Sequence, residues 1–140
     1  EILRYGNLTI IHDAYNANPL SFRAAMETAR AMRAGRRLVF VAGTMRELGR
    51  DSAVWHEIIA RELVDLEPDL LAGVGDFARA LEPWRGRLGD RLLTARDPGE
   101  LGPVLAGRLS GNEIIVLKAS RGVALERILP WLSDRTAPSS

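Results

Sequence analysis

Apolar positions in this chain fall into short runs that alternate with stripes of helical spacing. Leu8-Thr9-Ile10-Ile11-His12 reads as a short strand, and the stretch after it, Asp13-Ala14-Tyr15-Asn16-Ala17-Asn18-Pro19, is rich in turn formers. Asn18 suits a helix N-cap and Pro19 the first helical position, where its missing N–H is not required. Phe22, Ala25, Met26, Ala29 and Met32 then recur at helical spacing, which predicts a buried stripe on a helix that Gly35 ends. Leu38-Val39-Phe40-Val41-Ala42 is apolar throughout, the pattern of an internal strand covered by helices on both faces. Residues 43–49 form a loop with glycine at each end. Asp51 or Ser52 then caps a helix whose predicted apolar face holds Trp55, Ile58, Ile59, Leu63 and Leu66.

Residues 70–74 make a third strand candidate, followed by a brief helix with Phe77, Ala80, Leu81 and Trp84 on one side. Residues 83–89 are the least regular part, and a short strand is expected around 91–94. Leu101, Val104, Leu105 and Leu109 mark another helix, Glu113-Ile114-Ile115-Val116-Leu117 another strand, and Leu125, Ile128, Leu129 and Leu132 a last helical face. Residues 1–132 therefore read as one domain, and 133–140 as a polar tail that frays. Apolar strands alternating with helices through short connections predict an α/β fold: a three-layer α/β/α sandwich around a mostly parallel sheet. In such sheets ligands collect beyond the carboxyl ends of the strands. Three unusual segments, 13–19, 43–49 and 118–122, share that edge and define one candidate site.

Composition narrows the picture. With 140 residues, 46% of them hydrophobic and 26% charged, the chain is an ordinary folded domain, too short for a typical multidomain enzyme. The absence of cysteine excludes disulfides, thiol chemistry and cysteine-ligated metal. A formal charge of +1, with arginines scattered among carboxylates, argues against a nucleic-acid surface. No window approaches the roughly 18 apolar residues of a membrane span, and the opening Glu1-Ile2-Leu3-Arg4 lacks signal-peptide character, so a soluble protein is expected. Of the 19 Lys and Arg residues, Lys118 is the sole lysine.

The candidate residues offer definite chemistry. Asp13 can accept from a ribose hydroxyl or pair with a cation, and Asn16 and Asn18 can both donate and accept. Equally, Asx side chains bond to their own loops, and Asn18 serves as a cap without any ligand. Tyr15 can stack on a base or cover the sheet edge. Thr44, Arg46 and Glu47 lie between two glycines, with Arg46 suited to a bidentate anion contact or to an ordinary exposed loop, while Met45 and Leu48 pack the loop down. Lys118, Ser120 and Arg121 bring a cation, a hydroxyl and a guanidinium together at a strand end, which favours a phosphate or a carboxylate; the alternative has Ser120 capping the next helix. His56 and His12 lack the second histidine or carboxylate cluster that a metal site needs, and read as satisfied or surface side chains. Gly73-Val74-Gly75-Asp76 is only a fragment of a dinucleotide fingerprint, and no Walker P-loop or nucleophile elbow occurs.

Asp13-Ala14-Tyr15-Asn16-Ala17-Asn18-Pro19 with Ser21, Gly43-Thr44-Met45-Arg46-Glu47-Leu48-Gly49 with His56, and Lys118-Ala119-Ser120-Arg121, in this order, resemble the C-terminal domain of Mur ligases. The nearest pattern is that of the members adding D-alanyl-D-alanine to UDP-N-acetylmuramoyl-tripeptide. The resemblance implies a Rossmann-like domain of a cytoplasmic enzyme of cell-wall synthesis, with an N-terminal UDP-sugar domain and a central ATPase domain missing here. ATP and Mg2+ would be bound mainly by that central domain, and the reaction would pass through an acyl phosphate attacked by the dipeptide amine. It further implies nucleotide contact for Asp13 and Asn16, with Tyr15 and Asn18 in support. Ser120 and Arg121 would hold the acceptor carboxylate with Lys118 nearby, and residues 43–49, including Thr44, Arg46 and Glu47, would line the cleft. His12 and Thr44 depart from positions that are often acidic in the family, and Ala119 from a frequent glycine. The alternatives are a domain of another Mur or folate-type amide ligase, and a non-catalytic flavodoxin-like module.

Overall fold

Each apolar run forms the strand its pattern implies. In the computed structural model, which describes residues 1–136, strands β2 (Leu8–Asp13), β3 (Leu38–Ala42), β4 (Leu70–Val74), β5 (Leu92–Ala95) and β6 (Ile114–Lys118) are mutually parallel. An edge strand that hydropathy alone does not announce, β1 (Ile2–Tyr5), pairs antiparallel with β2 through a turn at Gly6, where φ is 59°. The sheet order is β1-β2-β6-β3-β4-β5.

Handedness decides where the helices go. From β2 to β3, β4 and β5 the chain always steps the same way across the sheet. Right-handed crossovers therefore put α1 (Pro19–Arg33), α2 (Ser52–Asp65) and α3 (Asp76–Leu81) on one face, with the four-residue α4 (Arg85–Leu88) beside them. To reach the slot between β2 and β3, the connection from β5 to β6 runs backwards, which sends α5 (Pro98–Ala106) to the opposite face, where α6 (Leu129–Thr136) joins it. Side chains of the central strands alternate accordingly. Leu38, Phe40, Ala42, Ile114 and Val116 meet α1 and α2, while Val39, Val41, Ile115 and Leu117 meet α5 and α6.

Two helical faces differ from the expected ones. On α2 the inward stripe runs through His56, Ile59, Ala60, Leu63 and Val64, so Ile58 sits at the margin and is exposed. On α5, Leu101 and Leu105 are buried and Val104 faces out. The last helical face is split between a 3-10 turn, Leu125–Ile128, and α6, which carries helical backbone past Leu132 to Thr136. Residues 137–140 of the expected tail lie outside the described residues.

The edge opposite the candidate site is locked by charge. Glu113 is 0% exposed, and its carboxylate accepts from the Arg37 guanidinium (2.8 Å), the Ser110 hydroxyl (3.1 Å) and the backbone N–H groups of Ser110 (2.7 Å), Gly111 (2.9 Å) and Asn112 (3.1 Å). Burial alone would raise its pKa, but the N–H donors of Ser110 and Gly111 outweigh that effect and hold it below the usual carboxylate value. Arg36 beside it donates to the carbonyls of Asn7, Asn112 and Glu113, tying the starts of β2, β3 and β6 together.

Glu113→Gln should lower stability by roughly 2–4 kcal/mol, because an amide cannot accept from this many donors. A carboxyl with a lowered folded pKa contributes its full stability above the unfolded value, about 4.3, and loses it as pH falls through the folded one. Urea unfolding of both proteins should therefore show a gap at neutral pH that narrows once the pH drops below about 4.

Candidate functional site

Strand β6 hands its chain to the layer opposite the one that receives the chain from its neighbours β2 and β3. The departing loops diverge there and leave a crevice, a topological switch point of the sheet. The three segments singled out in the sequence meet at this point around a cleft of about 520 Å3. Its walls are Tyr15, Asn16, Ala17 and Asn18 from the loop after β2, Arg46, Glu47 and Leu48 from the loop after β3, and Ser120, Arg121 and Gly122 from the loop after β6.

On the first wall, Asn18 acts as the cap of α1. Its side-chain oxygen accepts from the Ser21 N–H (2.8 Å), and the Ser21 hydroxyl accepts from the Asn18 N–H (3.0 Å), a reciprocal capping box. Tyr15 is 73% exposed, and the Arg121 guanidinium lies 5.9 Å from its ring centroid, so a cation–π contact spans the cleft between two walls.

The second and third walls are joined by their backbones. The Arg46 N–H donates to the Ser120 hydroxyl (2.8 Å), the Ser120 N–H to the Thr44 carbonyl (3.1 Å), and the Gly43 N–H to the Lys118 carbonyl (2.9 Å). Ser120 thus spends its acceptor on a neighbouring loop, and it makes no side-chain cap to the 3-10 turn that follows. Two glycines permit this closeness. A Cβ on Gly43 would stand 2.7 Å from the Ala119 Cβ, and one on Gly122 would collide with the Arg46 guanidinium. Glu47 holds a left-handed backbone, φ 65°, at the tip of its loop.

Three expected site residues lie outside the cleft lining. Thr44 faces the other way, its hydroxyl accepting from the Asp76 N–H (2.9 Å) at the start of α3. Lys118 is 1% exposed and lies beneath the first wall, donating to the Asn16 carbonyl (2.6 Å) with its ammonium 3.0 Å from the Asp13 carboxylate. Its charge is paired internally with another expected site residue. Asp13 keeps a side chain that is 42% exposed. His12 contributes no wall either: it lies 3.9 Å from Glu1.

His56 has a definite structural task. Its Nε2 accepts from the Met45 N–H (2.9 Å), and its Nδ1 donates to the Ser52 carbonyl (2.7 Å), which fixes the tautomer with hydrogen on Nδ1. At 2% exposure it buttresses the loop after β3, and Met45 is buried beside it, as expected. Sequence reading did not single out Ala17 or Gly122 as wall residues. Gly122 next to Arg121 was the available signal, since a glycine beside a guanidinium-bearing loop can mark close backbone approach. Chemically the walls present two guanidiniums, the Glu47 carboxylate, an exposed amide and an exposed aromatic ring, a set with one net positive charge that suits an anionic group and a flat polar one. Among the described residues no three His, Cys, Asp or Glu side chains gather as a metal would require, and no helix is long and apolar enough to cross a membrane.

The fold is that of a largely parallel α/β domain with a cleft at a switch point. Residues 1–121 match the family model described as Mur ligase, glutamate ligase domain, and the chain belongs to this Mur ligase C-terminal domain family. It is 30% identical over 139 residues to a UDP-N-acetylmuramoyl-tripeptide--D-alanyl-D-alanine ligase of Mycobacterium leprae, a match covering 87% of this chain and 27% of that protein. Crystal structure II of MurF from Acinetobacter baumannii superposes with a TM-score of 0.83 at 28% identity, covering 96% of this chain and 30% of that one. The MurF ligase of Thermotoga maritima, solved in complex with ADP, shares the fold at a TM-score of 0.78 and 24% identity over 96% of this chain and 30% of that one. The chain thus spans under a third of the length of these relatives.

Replacing His56 with Leu removes the acceptor of a buried N–H and should cost about 1–3 kcal/mol. Denaturation midpoints should fall, and hydrogen exchange at the Met45 amide should accelerate more than exchange in β3.

Proposed function

We propose that this chain is the substrate- and nucleotide-contacting C-terminal domain of an ATP-dependent amide ligase of cell-wall synthesis. The enzyme joins D-alanyl-D-alanine to UDP-N-acetylmuramoyl-tripeptide. One observation carries the reading: all three family-like loops converge on a single cleft with two guanidiniums in its walls, in a chain that aligns over most of its length with a ligase of that name.

In this reading the nucleotide ribose and base face Asn16 and Tyr15, with Asp13 and the Asn18 amide at the margin. The Thermotoga relative was solved in complex with ADP, in keeping with a nucleotide-using enzyme. Arg121 and Ser120 hold the carboxylate of the incoming dipeptide, Arg46 adds positive potential, and Glu47 bounds the cleft. The cleft offers neither a phosphate-cradling Gly-Lys-Ser/Thr loop nor a carboxylate cluster, so triphosphate and Mg2+ are assigned to the central domain. Mg2+, when bound there, neutralises phosphate charge. The UDP-sugar and ATPase domains would lie in the parts of the longer relatives that this chain does not span.

The chemistry runs through the tripeptide carboxylate. Its oxygen takes the γ-phosphoryl group of ATP and releases ADP. The dipeptide amine then attacks the acyl carbon, and the tetrahedral adduct collapses to amide and phosphate, with one proton lost from the amine. This domain contributes proximity: its walls hold the amine-bearing partner, and closure on the ATPase domain brings it to the acyl phosphate. The domain by itself is inactive in this reading, and soluble precursors and ATP fit a cytoplasmic setting.

The multidomain protein should form ADP, phosphate and the extended peptide only when ATP, UDP-N-acetylmuramoyl-tripeptide and D-alanyl-D-alanine are all present, and the 140-residue chain should form none. Absence of ATP-dependent ligation, or a preference for a different amine, would overturn the reading. Arg121→Ala should raise the dipeptide KM by roughly 10- to 100-fold, the worth of a charge-assisted hydrogen bond, and leave the ATP KM near its original value.

A further inference from the structure

We infer that Lys118 is a positioning residue for the nucleotide-facing loop, holding it from below through the Asn16 carbonyl and the Asp13 carboxylate without touching the acceptor. The inference rests on the proposed function and deepens it. Register makes the arrangement possible: Asp13 and Lys118 are directly paired across β2 and β6, so their side chains leave the same face of the sheet on adjacent strands. The ammonium is buried, and the two groups it meets, at 2.6 and 3.0 Å, both belong to the chain leaving β2.

The contact reaches beyond one residue. The Asn16 carbonyl that accepts from Lys118 also lies 3.3 Å from the Ser21 hydroxyl of the α1 capping box, whose one proton it shares with the Asn18 carbonyl (3.1 Å). A continuous polar chain therefore runs from β6 through the loop to the helix N-terminus, and the outer side of that loop presents Tyr15 and the Asn16 amide to the cleft. The acceptor wall does not depend on the ammonium. Its position is set by the backbone bonds from Gly43 to Lys118, from Ser120 to Thr44 and from Arg46 to Ser120. Arginine would not serve here. A planar fork needs more room than a fully enclosed slot gives, whereas an ammonium is compact and its donors rotate, which accounts for the one lysine in a chain that otherwise uses arginine.

The two assignments separate in kinetics. In the multidomain ligase, Lys118→Met, Asp13→Asn and the double variant are compared with wild type for the KM of ATP, the KM of D-alanyl-D-alanine and the equilibrium Kd of ADP. Each single variant should raise the ATP KM and the ADP Kd by about tenfold, the expected scale for breaking a charge pair with one partner buried, while the dipeptide KM stays within about twofold. The double variant should be no worse than the worse single one, since both remove the same contact. A rise confined to the dipeptide KM, or full additivity, overturns the inference. If the variants do not fold, acylation of wild-type Lys118 by acetic anhydride, which loses acetate as the amide forms, read by peptide mapping, still decides: slow modification indifferent to dipeptide is expected, and fast modification blocked by dipeptide refutes it. A wild-type protein without ligation activity would sink the proposed function, while the ADP Kd values and the acylation rate would still test the role of Lys118.

Discussion

The constraint from which the site follows is the handedness of the crossovers. Three forward steps place three helices on one side of the sheet, and the single backward step that inserts β6 between β2 and β3 must use the other side. Chains leaving adjacent strands are pulled apart on either side of β6, as they are again between β4 and β5 toward the far edge of the sheet. A cleft is thus a geometric by-product of strand order, and its position would be the same with different wall residues. What the particular sequence adds is the furnishing: guanidiniums on two walls, an aromatic ring on one, and buried polar groups that brace each loop.

Those braces explain why so many polar residues concentrate at one edge. A loop that leaves a parallel strand exposes backbone donors and acceptors that need partners. Here Ser120, Thr44, His56 and Lys118 supply them, each reaching across to a different segment. The far edge solves the same problem with Arg36, Arg37 and Glu113. The layers between are apolar and closely packed, so the two ends of the sheet carry nearly all of its buried charge.

Much of this was legible in the residue pattern, for reasons that differ by element. β3 and β6 announce themselves because strands buried on both faces are apolar at every position, and Asn18-Pro19 marks the start of α1 because a cap and a proline share one address. β1 was not legible: it is short and partly exposed, and only the Gly6-Asn7 pair hints at a hairpin. The apolar character of Ile58 points it inward, whereas a histidine with both ring nitrogens satisfied takes the inner stripe. The convergence of the three loops followed from topology. The partnership of Lys118 with Asn16 did not, since it joins positions 102 residues apart and depends on a register that no local pattern encodes.

The stacking of Arg121 over Tyr15 has a further consequence. It makes each ligand group that enters the cleft a competitor for a side chain already engaged, so a base approaching Tyr15 frees the guanidinium, and a carboxylate drawing off Arg121 bares the ring. Two dissimilar ligands would then share one free-energy cost: whichever arrives first bears the loss of the contact, and the second finds its partner released. A single weak cation–π pair, of about 0.5–1 kcal/mol at such an exposed site, is enough to give the cleft a modest positive cooperativity between unlike molecules.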